Sequence, residues 1–192
     1  MRVEGLERKQ VGWLMKLGYS LMARRYGKVI TPAKVWARMP AASIGMAFAM
    51  WGIEEVSKGL DPKIKRLANL RTAQMVGCPF CIDIISSIGQ KEGISDEQMD
   101  ALGDFERSAL FTAAERAALR YVEQMCATPA DVSDATFAEL KRHFDSTQIV
   151  ELTAQVALEN LRARFNRALK IPSDGFCTLP ASHPVPQRVA NA

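Results

Sequence analysis

No apolar run in this sequence is long enough to cross a membrane: the longest, from Ala41 to Ile53, falls well short of the about 20 residues a spanning helix needs and predicts a buried core helix instead. The apolar block that follows the basic residues of a secretory signal is also lacking, so a cytoplasmic protein is expected. Gly-rich phosphate loops, internal repeats, low-complexity tracts and recognised DNA- or RNA-binding motifs are all missing, and with them the functions they carry. Cysteine and histidine are scarce, at 4 and 2 of 192 residues. In a reducing compartment so few cysteines do not form a structural disulfide framework. A second pair of ligands at zinc spacing is absent too, because Cys126, Cys177, His143 and His183 are scattered singletons.

Charge is present but uneven. Arg2, Arg8, Lys9, Lys16, Arg24, Arg25, Lys28, Lys34 and Arg38 face only Glu4 and Glu7 at the start of a chain whose net charge is +4. These cations alternate with Leu14, Leu17, Leu21 and Met22 at helical spacing, which predicts an amphipathic helix with a solvated basic face. Neither a nucleic acid nor a membrane is expected as a partner.

Helix signals recur along the chain and strand signals do not, so the expected fold class is all-α. Asp61-Pro62 caps a helix that runs to Gly77, and Pro79 opens another that ends near Gly93. Ser95 with Gln98 and Thr112 with Glu115 read as capping boxes, and Ser133 caps a short helix reaching about His143. The longest helix follows Asp145 and extends to Leu169. Its residues Glu151, Gln155, Glu159, Arg162 and Asn166 form a narrow polar stripe, predicted to be solvated or at an interface, on a helix apolar around most of its girth. Such a helix in so small a bundle predicts a homo-oligomer. Pro172, Pro180, Pro184 and Pro186 prevent a regular helix beyond Ile171.

The chemistry resides in Gly77-Cys78-Pro79-Phe80-Cys81. Two cysteines three apart at a helix start point the same way and can close a small disulfide, and a helix N-terminus favours the thiolate. One thiolate can attack a peroxide or disulfide while the other resolves the product. Two buried cysteines filling space, or half of a zinc site, are the alternatives that spacing leaves open.

The stretch "LDPKIKRLANLRTAQMVGCPFCIDIISSIGQKEG", with "FTAAERAALRYVEQM" and "ENLRARFNRALKI" after it, resembles the carboxymuconolactone decarboxylase and alkylhydroperoxidase-like superfamily from about Leu60 to Phe176. The resemblance implies an all-α bundle, assembled into dimers, trimers or hexamers. The chain is expected to have three parts: an N-terminal helical segment over 1–59 packed on the core, a core with the cysteine motif over 60–170, and a proline-rich C-terminal arm over 171–192. The resemblance further implies that Cys78 and Cys81 are catalytic, Cys81 attacking and Cys78 resolving, on a small peroxide or disulfide substrate. A dithiol reductant protein recycles the pair, and no cofactor or metal is required. Where that family's peroxidases place a glutamate and a histidine as a proton relay, this chain has Arg66 and Ile85. Ile85 cannot move a proton. Arg66 is a candidate thiolate or anion stabiliser, or a surface arginine. Asp83 and Ser86 read as solvated or capping, Cys126 as core, and neither histidine as a catalyst. The missing relay also admits a non-catalytic redox sensor or structural member, and more remotely a decarboxylating lyase.

Overall fold

A computed structural model describes residues 1–177, so Pro180, Pro184, Pro186 and His183 lie outside the described residues, as does most of the expected C-terminal arm. All regular structure among the described residues is helical. The N-terminal segment contains α1 (Trp13–Tyr26), α2 (Thr31–Trp36) and α3 (Pro40–Met50), which runs on into a π-helical segment, Trp51–Val56. The core follows as α4 (Pro62–Val76), α5 (Pro79–Lys91), α6 (Asp96–Asp100), α7 (Ala113–Cys126), α8 (Asp134–Leu140) and α9 (Ser146–Ala168). Among the described residues no helix is long and apolar enough to cross a membrane.

Helix α4 is the hub, packing against α5, α7 and α9. Leu67, Leu70 and Ala73 join Cys78, Cys81 and Ile85 of α5 in one apolar cluster. Ala68, on another side of α4, joins Val122 of α7 with Leu152 and Val156 of α9 in a second. The starts of these helices follow local chemistry. Asp61 accepts from the Lys63 amide, and the Thr112–Glu115 and Asp145–Gln148 pairs each close a reciprocal capping box. Ser95 accepts from the Gln98 amide, but the Gln98 side chain donates to the Leu110 carbonyl at 3.0 Å instead of returning to Ser95. The expected second box is thus half formed.

Two expectations about burial are overturned. Helix α3, expected to be core, contains no buried residue, and Phe48 is 68% exposed. Its length and lack of charge say only that it should be covered; among the described residues none buries it fully. Helix α9 departs in the opposite sense. Gln155, Glu159 and Asn166 of the polar stripe are buried, while Val150 and Leu161 face solvent. A periodic stripe shows that one face differs from the rest, not which face turns inward.

Because Leu152 is fully buried where α9 meets α4 and α7, Leu152→Ala should lower the unfolding free energy by about 2–5 kcal/mol. Phe48→Ser on a single chain should change it by less than about 0.5 kcal/mol. Urea denaturation of both variants at low protein concentration checks the contrast.

Candidate active site

The two cysteines owe their placement to a break of two residues, Gly77 and Cys78, between helices. Gly77 takes a left-handed conformation (φ 70°) that ends α4, and Pro79 occupies the first turn of α5, where its missing N–H costs nothing. Between them Cys78 becomes the N-cap of α5: its Sγ accepts from the Cys81 amide at 3.2 Å. The two Cα atoms are 5.3 Å apart, and the sulfurs are joined in a disulfide. Both residues are buried, Cys78 completely.

Only one of them borders open space. Cys81 lies on the wall of a cavity of about 600 Å³, open on one side, between the N-terminal segment and the core. Ile84, Ile85, Ile88 and Phe80 of α5 form one wall, and Leu17, Leu21, Phe48 and Trp51 the opposite one, so the space above the sulfur is overwhelmingly apolar. The apolar residues of α1 therefore line this cavity instead of packing into a core; Tyr19 is the buried residue of that helix.

The polar contacts of the cavity come from α9. Asn166 donates from Nδ2 to the Cys81 sulfur at 3.4 Å. One turn earlier Arg162 binds two carboxylates at once: its Nη1 donates to Glu54 Oε1 at 2.6 Å, and its Nε and Nη2 both donate to Glu159 Oε2, at 3.0 and 2.5 Å. Glu159 is 1% exposed. Burial pushes its carboxyl above the ordinary range against the pull of Arg162. Burial alone would pull Arg162 down, but Glu159 and Glu54 outweigh it and keep the guanidinium charged. The reading of Glu159 as solvated or at an interface is thus corrected: it is buried within the chain. Glu54, Arg162 and Asn166 were not singled out from the sequence. The signal was present for two of them, since 159, 162 and 166 share one helical face, but Glu54 lies on a distant segment.

The relay positions differ in their surroundings. Ile85 is buried against the cavity. Arg66 also borders it, yet its guanidinium forms a two-pronged ion pair with Glu92, at 2.9 and 3.0 Å. Glu92 caps the opposite end of α5, about 16 Å along the axis from Cys81. Asp83, expected to be solvated or capping, is a buried clasp: it accepts from Ser173 Oγ (2.8 Å) and from the amides of Phe176 (2.8 Å) and Cys177 (2.7 Å), fixing the segment after α9 to α5. Ser86 is buried and its Oγ has no partner among the described residues. Cys126 is core, as expected, and burial pushes its thiol up. His143 pairs with Glu139 at the end of α8.

The carboxymuconolactone decarboxylase family model matches residues 37–124. Uncharacterized protein YnjA of Escherichia coli (strain K12) is 40% identical over 161 residues, covering 83% of this chain and 88% of that protein. Among solved structures, the alkylhydroperoxidase AhpD core of an uncharacterized peroxidase-related protein from Ralstonia eutropha JMP134 superposes with a TM-score of 0.82 at 18% identity, covering 91% of this chain and 93% of that one. The debrominase Bmp8 superposes with a TM-score of 0.77 at 20% identity, covering 94% and 93%. At these identities the two structures establish a shared fold.

The buried carboxyl makes a pH test available. Glu159 faces Arg162, Glu54 and Arg66, and its folded value lies above that of the unfolded chain, about 4.3. Its contribution to stability is therefore complete below about pH 4.3 and is lost as pH rises through the folded value. Relative to Glu159→Gln, the parent should gain stability between pH 7 and pH 5. Chemical denaturation at the two pH values measures the difference, and a parent that loses ground on acidification would contradict the assignment.

Proposed function

The chain belongs to the carboxymuconolactone decarboxylase and alkylhydroperoxidase-like superfamily, and on that premise we propose that it is a thiol-dependent oxidoreductase that reduces a small organic peroxide or disulfide. The observation that carries this reading is the unequal placement of the two sulfurs: Cys81 borders the cavity and accepts from Asn166, whereas Cys78 sits behind it, fully buried, within bonding distance. In the reduced protein, the Cys81 thiolate attacks the terminal oxygen of the hydroperoxide. The O–O bond breaks, and the departing alkoxide takes up a proton and leaves as alcohol. The Cys78 thiol then attacks the sulfenic sulfur of Cys81, water departs, and the disulfide forms. Two electrons have passed from the pair to the peroxide, and an external dithiol protein returns them.

The helix N-terminus and the Asn166 amide both favour a charged sulfur at position 81. Neither supplies a proton to the alkoxide, and Ile85 cannot, so turnover with peroxide is expected to be slow; positioned acid–base groups contribute about 10²–10⁴-fold where they exist. A second reading follows from the aromatic lining, Tyr26, Trp36, Phe48, Trp51 and Phe80. One structural neighbour is a debrominase, and a cysteine variant of it is known in complex with 2,3,4-tribromopyrrole. Reductive removal of bromide from an aryl bromide uses the same two thiols and yields the arene, bromide, a proton and the disulfide. The exposed apolar residues Leu17 and Leu21 of α1, Phe48 of α3 and Trp51 next to it support a homo-oligomer.

Cumene hydroperoxide supplied with dithiothreitol should be consumed by the parent. Cys81→Ser should abolish turnover, and Cys78→Ser, assayed without dithiothreitol, should consume one equivalent of hydroperoxide and hold a sulfenic acid at Cys81. Bromide release from a bromopyrrole, scored in the same variants, separates the second reading from the first. If neither substrate is turned over and the pair stays reduced after mild oxidation, the oxidoreductase reading fails. Light scattering at micromolar concentration should give a mass above that of one chain, and Phe48→Glu should lower it.

A further inference from the structure

Seven buried side-chain polar atoms lack a hydrogen-bond partner among the described residues. Asn69 Nδ2 and Oδ1, Ser86 Oγ and Gln155 Oε1 belong to residues away from the cavity, whereas Glu159 Oε1, Asn166 Oδ1 and Ser43 Oγ belong to residues that line it. A buried group left without a partner costs about 1–3 kcal/mol, more when it is charged. Within an apolar cavity such groups are the ones that fix the orientation of a ligand.

Glu159 is the most telling of them. Arg162 approaches its Oε2 twice, which leaves Oε1 as the oxygen with nothing to bind. Arg162 is itself shared with Glu54, so one cation serves two carboxyls and the cluster tolerates a further hydrogen-bond donor. Distance sets the rest. Asn166 touches the Cys81 sulfur, and Glu159 lies seven residues earlier on the same face of α9, about 10 Å along the axis. Isoleucine side chains of α5 line the cavity beyond Cys81.

Resting on the reading that Cys81 is the attacking sulfur, we propose that Glu159 forms a recognition subsite for the hydroxyl end of an elongated, otherwise apolar substrate whose electrophilic atom lies at Cys81. A hydroxyl suits Oε1 in either state, since it donates to the carboxylate and can accept from the acid. The Asn166 carboxamide oxygen, also unpartnered, is left for a hydrogen-bond donor at the reacting end. A chain of about eight carbons spans the gap. Short peroxides without a polar far end reach the sulfur but leave Oε1 unsatisfied.

Binding can be read without turnover, because Trp36 and Trp51 line the cavity and their fluorescence reports its occupation. Octanol and octane-1,8-diol are the probes, titrated into the oxidised parent and into Glu159→Leu. Moving the second hydroxyl from water to an apolar wall is unfavourable, so the parent should bind the diol at least as tightly as octanol only if that hydroxyl is met. In Glu159→Leu the preference should swing towards octanol by about tenfold or more. A parent that prefers octanol by tenfold overturns the proposal without any variant, and so does a ratio that Glu159→Leu leaves unchanged. A protein that selects the diol yet consumes no hydroperoxide keeps the subsite and loses the peroxidase reading; one that consumes cumene hydroperoxide but does not select the diol loses only the subsite.

Discussion

One arginine holds the two halves of this molecule in register. Arg162 projects from the central helix α9 and binds Glu159 of its own helix and Glu54 of the π-helical segment, 108 residues apart in sequence. Largely removed from water, such a charge is tolerable only when it is paired, and removal of one member leaves the others uncompensated at a cost of about 3–5 kcal/mol. The triad therefore does more than neutralise charge. Together with the Thr31–Asp174 hydrogen bonds and the stacking of Trp36 on Phe165, it ties the N-terminal segment to the core beside the space above Cys81.

The chemistry at the sulfur is set by shorter-range effects. A left-handed glycine and a first-turn proline place both thiols at a helix start, and that start carries partial positive charge from its unpaired amides. Asn166 adds a directed donor to Cys81 alone. The arrangement favours formation of the thiolate but offers no neighbouring base, so the site suits leaving groups that need little help from a proton. The fixed charge of Arg66 is absorbed by Glu92, which leaves Asn166 as the nearest polar influence that the structure provides at that sulfur.

The local features were the legible ones. Helix class, the caps at Asp61, Thr112 and Asp145, and the break around Cys78 depend on residues within a few positions of one another, and the sequence carries all of that information. The features that escaped reading depend on which surfaces meet. The polar stripe of α9 was visible, but its inward direction is decided by Glu54 and by the cysteines, which come from other elements. The run from Ala41 to Ile53 advertised a need for burial without naming a partner, and among the described residues α3 is at most half-buried. Arg66 matched a relay position by spacing from Cys78, whereas its actual partner, Glu92, lies beyond the far end of α5.

The uncovered walls of the cavity also bear on how proteins of this kind diversify. Cys78 and Cys81, the hub helix and the clasp belong to the tightly packed part, where substitutions disturb folding. On the facing wall Leu17 and Leu21 of α1 and Phe48 of α3 are exposed, so exchanges there alter the shape of the space with little effect on the fold. On the oxidoreductase reading proposed above, substrate preference is then set by residues that folding leaves free, and one scaffold can be fitted to different apolar molecules with the same two thiols in place.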